Sequence, residues 1–131
     1  MNTVDGSLCV LVVDDAPTDR LRWSLLGRRH GIEVRTADSA KEAVRALQHD
    51  RPDVVLMDLD MPGTDGVAAT RILRADPDLR DLKVVCHSGS PRMHEATATG
   101  LFDGALAKDL PDDVLVADLL ALVGERPALV V

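Results

Sequence analysis

Aromatic residues are nearly missing from this chain: one tryptophan, Trp23, one phenylalanine, Phe102, and no tyrosine. That excludes a core built on ring packing and leaves the interior to Val, Leu, Ile and Ala. Cysteine is also scarce. Cys9 and Cys86 both sit in apolar, strand-like runs, where a buried thiol behaves as a small hydrophobe. No disulfide framework follows from them, and a reducing cytoplasm is the expected setting. No apolar run approaches the roughly 20 residues of a membrane span, and the start lacks a basic region followed by an apolar segment. Membrane insertion is therefore not expected. Positive charge is in deficit, with 15 Lys and Arg against 22 Asp and Glu and a net charge of −7. That balance argues against direct DNA binding and against attraction to anionic membranes.

What is present is apolar and acidic in a particular order. Val54-Val55-Leu56-Met57 runs straight into Asp58, and Val10-Leu11-Val12-Val13 runs into Asp14-Asp15. Continuous apolar runs of this length read as parallel strands covered on both faces. Open parallel sheets place their chemistry outside the carboxyl ends of the strands. Two such strands would bring three acids to one edge, where each pair repels by about 1 kcal/mol at 4 Å in water and by more when partly buried. A bound cation is the natural offset.

The rest of the chain alternates between strand and helix signals. Strands are expected over residues 8–13, 32–36, 54–57, 83–87 and 103–107. A first helix opens at Ala16-Pro17 and stops near Arg29, with Gly31 as its cap. Ser39 and Glu42 form a capping box for a second, which carries Ala43, Val44 and Leu47 on its apolar side. The turn-rich loop Met61-Pro62-Gly63-Thr64-Asp65-Gly66 precedes a third over 67–75. Residues 91–99 make a weakly apolar, marginal fourth. Pro111 starts a fifth, with Leu115, Val116, Leu119, Leu122 and Val123 at helical spacing and Asp112 and Asp113 favouring its dipole. Five strands and five helices in one unit of this size indicate a doubly wound α/β fold. No repeat, linker or low-complexity block divides it, so residues 1–124 are read as one domain and 125–131 as a short apolar tail. Fraying is the plain expectation for that tail; docking on a partner is the alternative.

Five polar groups converge at the expected strand ends: Asp14, Asp15, Asp58, Ser88 and Lys108. With the run Asp58-Leu59-Asp60-Met61-Pro62-Gly63-Thr64-Asp65-Gly66 and the pair Ser88-Gly89, they make the chain resemble a response regulator receiver domain of two-component signalling over essentially its whole length. The resemblance implies a flavodoxin-like sheet in the order 2-1-3-4-5. It implies that Asp58 accepts a phosphoryl group from a histidine kinase or histidine phosphotransfer protein. It further implies Mg²⁺ bound by Asp14, Asp15, Asp58 and the backbone carbonyl of Asp60, with Ser88 and Lys108 contacting the phosphoryl oxygens. The chemistry agrees, because an anionic nucleophile attacking an anionic donor needs charge neutralisation, and Mg²⁺ prefers oxygen ligands. Two positions depart from the pattern. Ala105 stands where the family usually has an aromatic switch residue, and Asp109 stands where a proline usually follows the lysine.

Plainer readings exist for single residues. Asp14 could cap a helix, Asp58 could begin a turn, and Ser88 could be ordinary loop chemistry. His87 and His94 lack paired metal-ligand spacing and read as surface or strand-end residues. Arg20, Arg22, Arg28 and Arg29 read as a solvated basic face, with an acidic partner as the alternative. At the level of the whole chain, the leading expectation is a non-enzymatic, stand-alone signalling domain whose output passes through protein contacts. One alternative is a degenerate receiver that binds partners without phosphorylation. Another is a haloacid dehalogenase-like phosphatase, on the strength of Asp58-Leu59-Asp60; Pro62 and the upstream acid pair fit that family poorly.

Overall fold

In the computed structural model, which describes residues 7–124, strands and helices alternate from end to end. The order is β1 (Cys9–Val13), α1 (Pro17–His30), β2 (Glu33–Ala37), α2 (Ala40–His49), β3 (Val54–Met57), α3 (Gly66–Ala75), β4 (Val84–Ser88), α4 (Met93–Ala98), β5 (Gly104–Ala107) and α5 (Asp112–Val123). Each expected element is found, with edges shifted by one or two residues. The reading of 125–131 as a tail lies outside the described residues.

All strand pairs are parallel, and the sheet order is β2-β1-β3-β4-β5. Alternation along each strand divides the core. Val10 and Val12 of β1, with Val54 and Leu56 of β3, pack against Trp23 and Leu26 of α1 and Leu115 and Leu119 of α5. Leu11, Val13, Val55 and Met57 face the other way, onto Ala43 and Leu47 of α2 and Ala69 and Leu73 of α3. Both faces of β1 and β3 are thus covered, which is why neither strand carries a polar residue before the aspartate that follows it. A smaller cluster of Leu59, Cys86 and Ala96, flanked by Phe102 and Ala105, lies under α4.

Local chemistry sets the helix ends. Gly31 closes α1 in the left-handed region, at φ 70°. The Ser39 hydroxyl accepts from the Glu42 N–H at 3.2 Å, while the Glu42 carboxylate accepts from the Asp38 N–H at 3.1 Å. The reciprocal bond of the capping box therefore reaches one residue further back than the usual pattern. Asp65 caps α3 by accepting from the Ala68 N–H at 2.9 Å, so that helix begins at Gly66 and not at Val67. Gly66 itself has a packing reason: a Cβ there would collide with the carbonyl oxygen of Asp58.

Candidate functional site

Register delivers the acids. Val13 pairs with Met57 across β1 and β3, so the residues that follow, Asp14 and Asp58, emerge side by side. The ladder continues one step past the strands, with the Asp58 N–H on the Val13 carbonyl and the Asp14 N–H on the Ala37 carbonyl, each at 3.0 Å. At the other side Ser88 pairs with Ala107, and the Lys108 N–H reaches the Ser88 carbonyl at 3.0 Å. Four of the five expected groups thereby stand on backbone fixed by the sheet. Asp15 is the exposed member, one residue beyond Asp14.

Asp14, Asp15 and Asp58 each offer a carboxylate oxygen, and these oxygens lie within 4.8 Å of one another. Asp14 and Asp58 are buried, at 1% and 4% exposure. Burial, followed by the charge of Asp14, pushes the Asp58 carboxyl up to about 6, with Lys108 partly offsetting the rise. Lys108 stretches its ammonium across the group: 2.6 Å to Asp14, 3.1 Å to Asp19 and 3.3 Å to Asp58. Burial opposes its charge, but the bond to Asp14 and the fields of Asp14 and Asp58 hold the ammonium above its usual range. An all-oxygen set of three clustered carboxylates is the donor chemistry of Mg²⁺, not of zinc or copper, so these residues fit that ion.

The remaining expected residues are placed as follows. Ser88 is buried at the end of β4, and its hydroxyl accepts from the Ser90 N–H at 2.9 Å. The Asp60 N–H points at the Asp58 carboxylate at 3.4 Å, while its side chain turns outward to Arg92 at 2.8 Å. Arg92 also reaches Asp65 at 3.7 Å, bridging the start of α4 to the loop after β3. Ala105 is half-buried beside an open cavity of about 200 Å³ lined by Ser90, Pro91, Met93, His94 and Thr97. Lys108–Asp109 is a trans bond, as are all peptide bonds among the described residues.

Two expectations are corrected. Of the two readings of His87, the strand-end one holds and the surface one fails: it is the penultimate residue of β4 and 2% exposed. Its Nε2 accepts from the Trp23 indole N–H at 3.0 Å, which leaves Nδ1 to donate to the Leu106 carbonyl at 2.8 Å. Desolvation lowers its pKa to about 4; a neutral ring in an apolar core is the cheaper state. His94 is exposed, as expected. The basic face of α1 is likewise only half solvated. Arg28 and Arg29 are exposed, but Arg20 donates to the Asp14 carbonyl at 2.8 Å. Arg22 donates to the carbonyls of Lys108 at 2.8 Å and Leu110 at 2.6 Å, and to Asp112 at 2.9 Å. Asp19, Arg22 and Arg92 are contacts that sequence reasoning passed over. Asp19 lies in the first turn of α1, the helix that leaves the site directly after Asp14-Asp15, so its place in the sequence was the available signal.

Comparison with known proteins gives one answer. Residues 10–120 match the sequence profile of the response regulator receiver domain. PilH of Pseudomonas aeruginosa is 37% identical over 76 residues, covering 58% of this chain and 63% of PilH. Response regulator GacA of Pseudomonas syringae is 39% identical over 97 residues, 70% of this chain and 45% of GacA. The chain thus spans less than two thirds of the length of these curated relatives. Among solved structures, the chemotaxis protein CheY4 of Vibrio cholerae superposes with a TM-score of 0.80 at 25% identity, covering 89% of this chain and 99% of that one. The receiver domain of the sensor histidine kinase PA1611 of Pseudomonas aeruginosa gives 0.79 at 25% identity, over 92% and 100%. That structure holds a magnesium ion in its active site cleft.

Proposed function

The chain belongs to the response regulator receiver domain family, and from that premise we propose that it is a phosphoacceptor which takes a phosphoryl group on Asp58. A histidine kinase or a histidine phosphotransfer protein is the donor, and the signal leaves through protein–protein contacts. The observation that carries this reading is the position of the Lys108 ammonium, 3.3 Å from Asp58 and 2.6 Å from Asp14. It supplies fixed positive charge where an anionic donor must meet an anionic nucleophile.

Asp58 attacks the phosphorus through a carboxylate oxygen. The new O–P bond makes an acyl phosphate while the donor's P–N bond breaks and its imidazole leaves. Lys108 donates to the phosphoryl oxygens, and the Ser88 hydroxyl, on leaving its turn, can donate to another. The reaction requires positioning and charge neutralisation more than covalent assistance. Asp14, Asp15 and Asp58, with the Asp60 carbonyl, would hold Mg²⁺, which neutralises the donor and the acid cluster together; the magnesium-bound relative supports this. The phosphoryl group stays on the chain until hydrolysis, so the role is acceptor and not enzyme. The outward turn of Asp60 onto Arg92 weighs against a haloacid dehalogenase-like phosphatase, which would need that acid beside the nucleophile. The complete set of pocket groups weighs against a receiver that has lost phosphorylation.

Incubation with acetyl phosphate and Mg²⁺ should add the mass of one phosphoryl group. Asp58→Asn should abolish the addition, whereas Asp60→Asn should retain it. Equal labelling of wild type and Asp58→Asn would refute the assignment.

A further inference from the structure

Lys108 has three N–H donors and three carboxylates around them, and only two of those carboxylates belong to the metal-seeking cluster. The third is Asp19, in the first turn of α1, 3.1 Å from the ammonium and with its side chain 32% exposed. Three residues further along the same helix, Arg22 binds the Lys108 carbonyl at 2.8 Å. Helix α1 thus holds this lysine at both ends, the ammonium through Asp19 and the main chain through Arg22.

We propose that Asp19 is a positioning residue that restrains Lys108 in the resting pocket, so that α1 sets how readily Asp58 accepts a phosphoryl group. The proposal rests on the phosphoacceptor reading of Asp58. An incoming phosphoryl group needs an N–H from Lys108, and the ammonium is already hydrogen-bonded to Asp14 and Asp19 while lying 3.3 Å from Asp58. Asp14 is a poor partner to give up, since its carboxylate is buried and holds the shortest of the three contacts at 2.6 Å. An uncompensated buried carboxylate is costly. Asp58 is the reacting group itself. Asp19 is the exchangeable partner, because water can solvate its carboxylate when the lysine leaves. Arg22 keeps the lysine backbone in place meanwhile, so the exchange moves a side chain and not the loop. Breaking one partly exposed ion pair then becomes a component of the activation step.

The test compares wild type, Asp19→Asn and Asp19→Glu, each with Lys108 intact and in a Lys108→Gln background. Rates of phosphorylation by acetyl phosphate with Mg²⁺ are followed over a range of donor concentrations. With the lysine intact, Asp19→Asn should raise the second-order rate roughly twofold to fivefold, the scale of one partly exposed ion pair. Asp19→Glu should stay near wild type. In the Lys108→Gln background, Asp19→Asn should change nothing, because there is no ammonium to release. A role confined to the helix dipole would act equally in both backgrounds, and that result, or an unchanged or slower Asp19→Asn rate with the lysine present, overturns the proposal. Should wild type accept no phosphoryl group, the phosphoacceptor reading fails by itself. The restraint is then judged from the Lys108 ammonium resonance in the metal-free protein. It should shift and lose exchange protection in Asp19→Asn; identical resonances would overturn the restraint as well.

Discussion

Asp58 and His87, both buried, titrate in the same pH window with opposite consequences for folding. Asp58 has a folded pKa of about 6 against 3.8 for the free group. The native state therefore binds the extra proton in between, and its stability falls as pH rises from 4 through 6. His87 has a folded pKa of about 4 against 6.5. There the unfolded chain binds the extra proton, and native stability is lost as pH falls from 6.5 toward 4. In wild type without Mg²⁺ the two slopes oppose, so urea unfolding should vary little over that range. Asp58→Asn removes one of them. Its stability should exceed wild type at pH 7 and then drop steeply on acidification, by up to about 3 kcal/mol at one pKa unit per 1.4 kcal/mol. His87→Gln should show the reverse, gaining stability between pH 7 and 5 relative to its own neutral value. Parallel profiles in the two variants would mean that one of these burial effects is misassigned. The acid slope of Asp58 could be anticipated from adjacent carboxylates. The histidine slope could not, because nothing local in Cys86-His87-Ser88 announces that Trp23, 64 residues away, supplies its partner.

At the scale of elements, α4 is the least secured helix. It has six residues, buries only Ala96, and ends in Thr99 and a left-handed Gly100 at φ 76°. Its start is held by the exposed bridge from Arg92 to Asp60 and Asp65, a kind of contact that contributes little to stability. Across the cavity, β5 presents Ala105, which has no ring to swing inward if Ser88 moves toward a phosphoryl oxygen. A bound anion shifts a population only through elements that differ between its states. Beryllofluoride with Mg²⁺ should therefore change amide exchange strongly over residues 89–98 and weakly over 104–107. Changes at Ala105 and Leu106 with none at 89–98 would place the switch on the other element. This weakness was legible from the few large apolar residues in 91–99, just as α2 and α5 were legible from their periodicity. Boundaries were less so: Gly66 starts α3 because the chain must pass tight against the Asp58 carbonyl, a tertiary requirement. Similarly, Arg22 was read as solvated because the loop it clamps comes 86 residues later in the chain.

For the whole molecule, the site is a concentration of the same negative charge that gives the chain its net −7. The sheet brings Asp14, Asp15 and Asp58 together at a cost in mutual repulsion, and Lys108 offsets only part of it. Asp58, raised to about 6 first by burial and then by the charge of Asp14, carries part of that cost. A cation that binds the folded cluster and not the unfolded chain must stabilise the fold by mass action, about 1.4 kcal/mol at ten times its dissociation constant and about 2.7 at one hundred times. For a domain of this size that corresponds to a rise in Tm of roughly 3–10 °C. Millimolar Mg²⁺ at pH 7 should produce such a shift in wild type, whereas sodium chloride at matched ionic strength should not. Asp15→Asn separates binding from repulsion. Asp15 is the exposed acid of the set, so its removal should leave the metal-free Tm nearly unchanged or slightly higher while weakening the Mg²⁺-dependent rise. Asp58→Asn takes away a buried charge, so it should raise the metal-free Tm more and also weaken the response. A wild-type Tm indifferent to Mg²⁺ would show that Lys108 alone neutralises the cluster, and that the acids are held for the lysine and not for a metal.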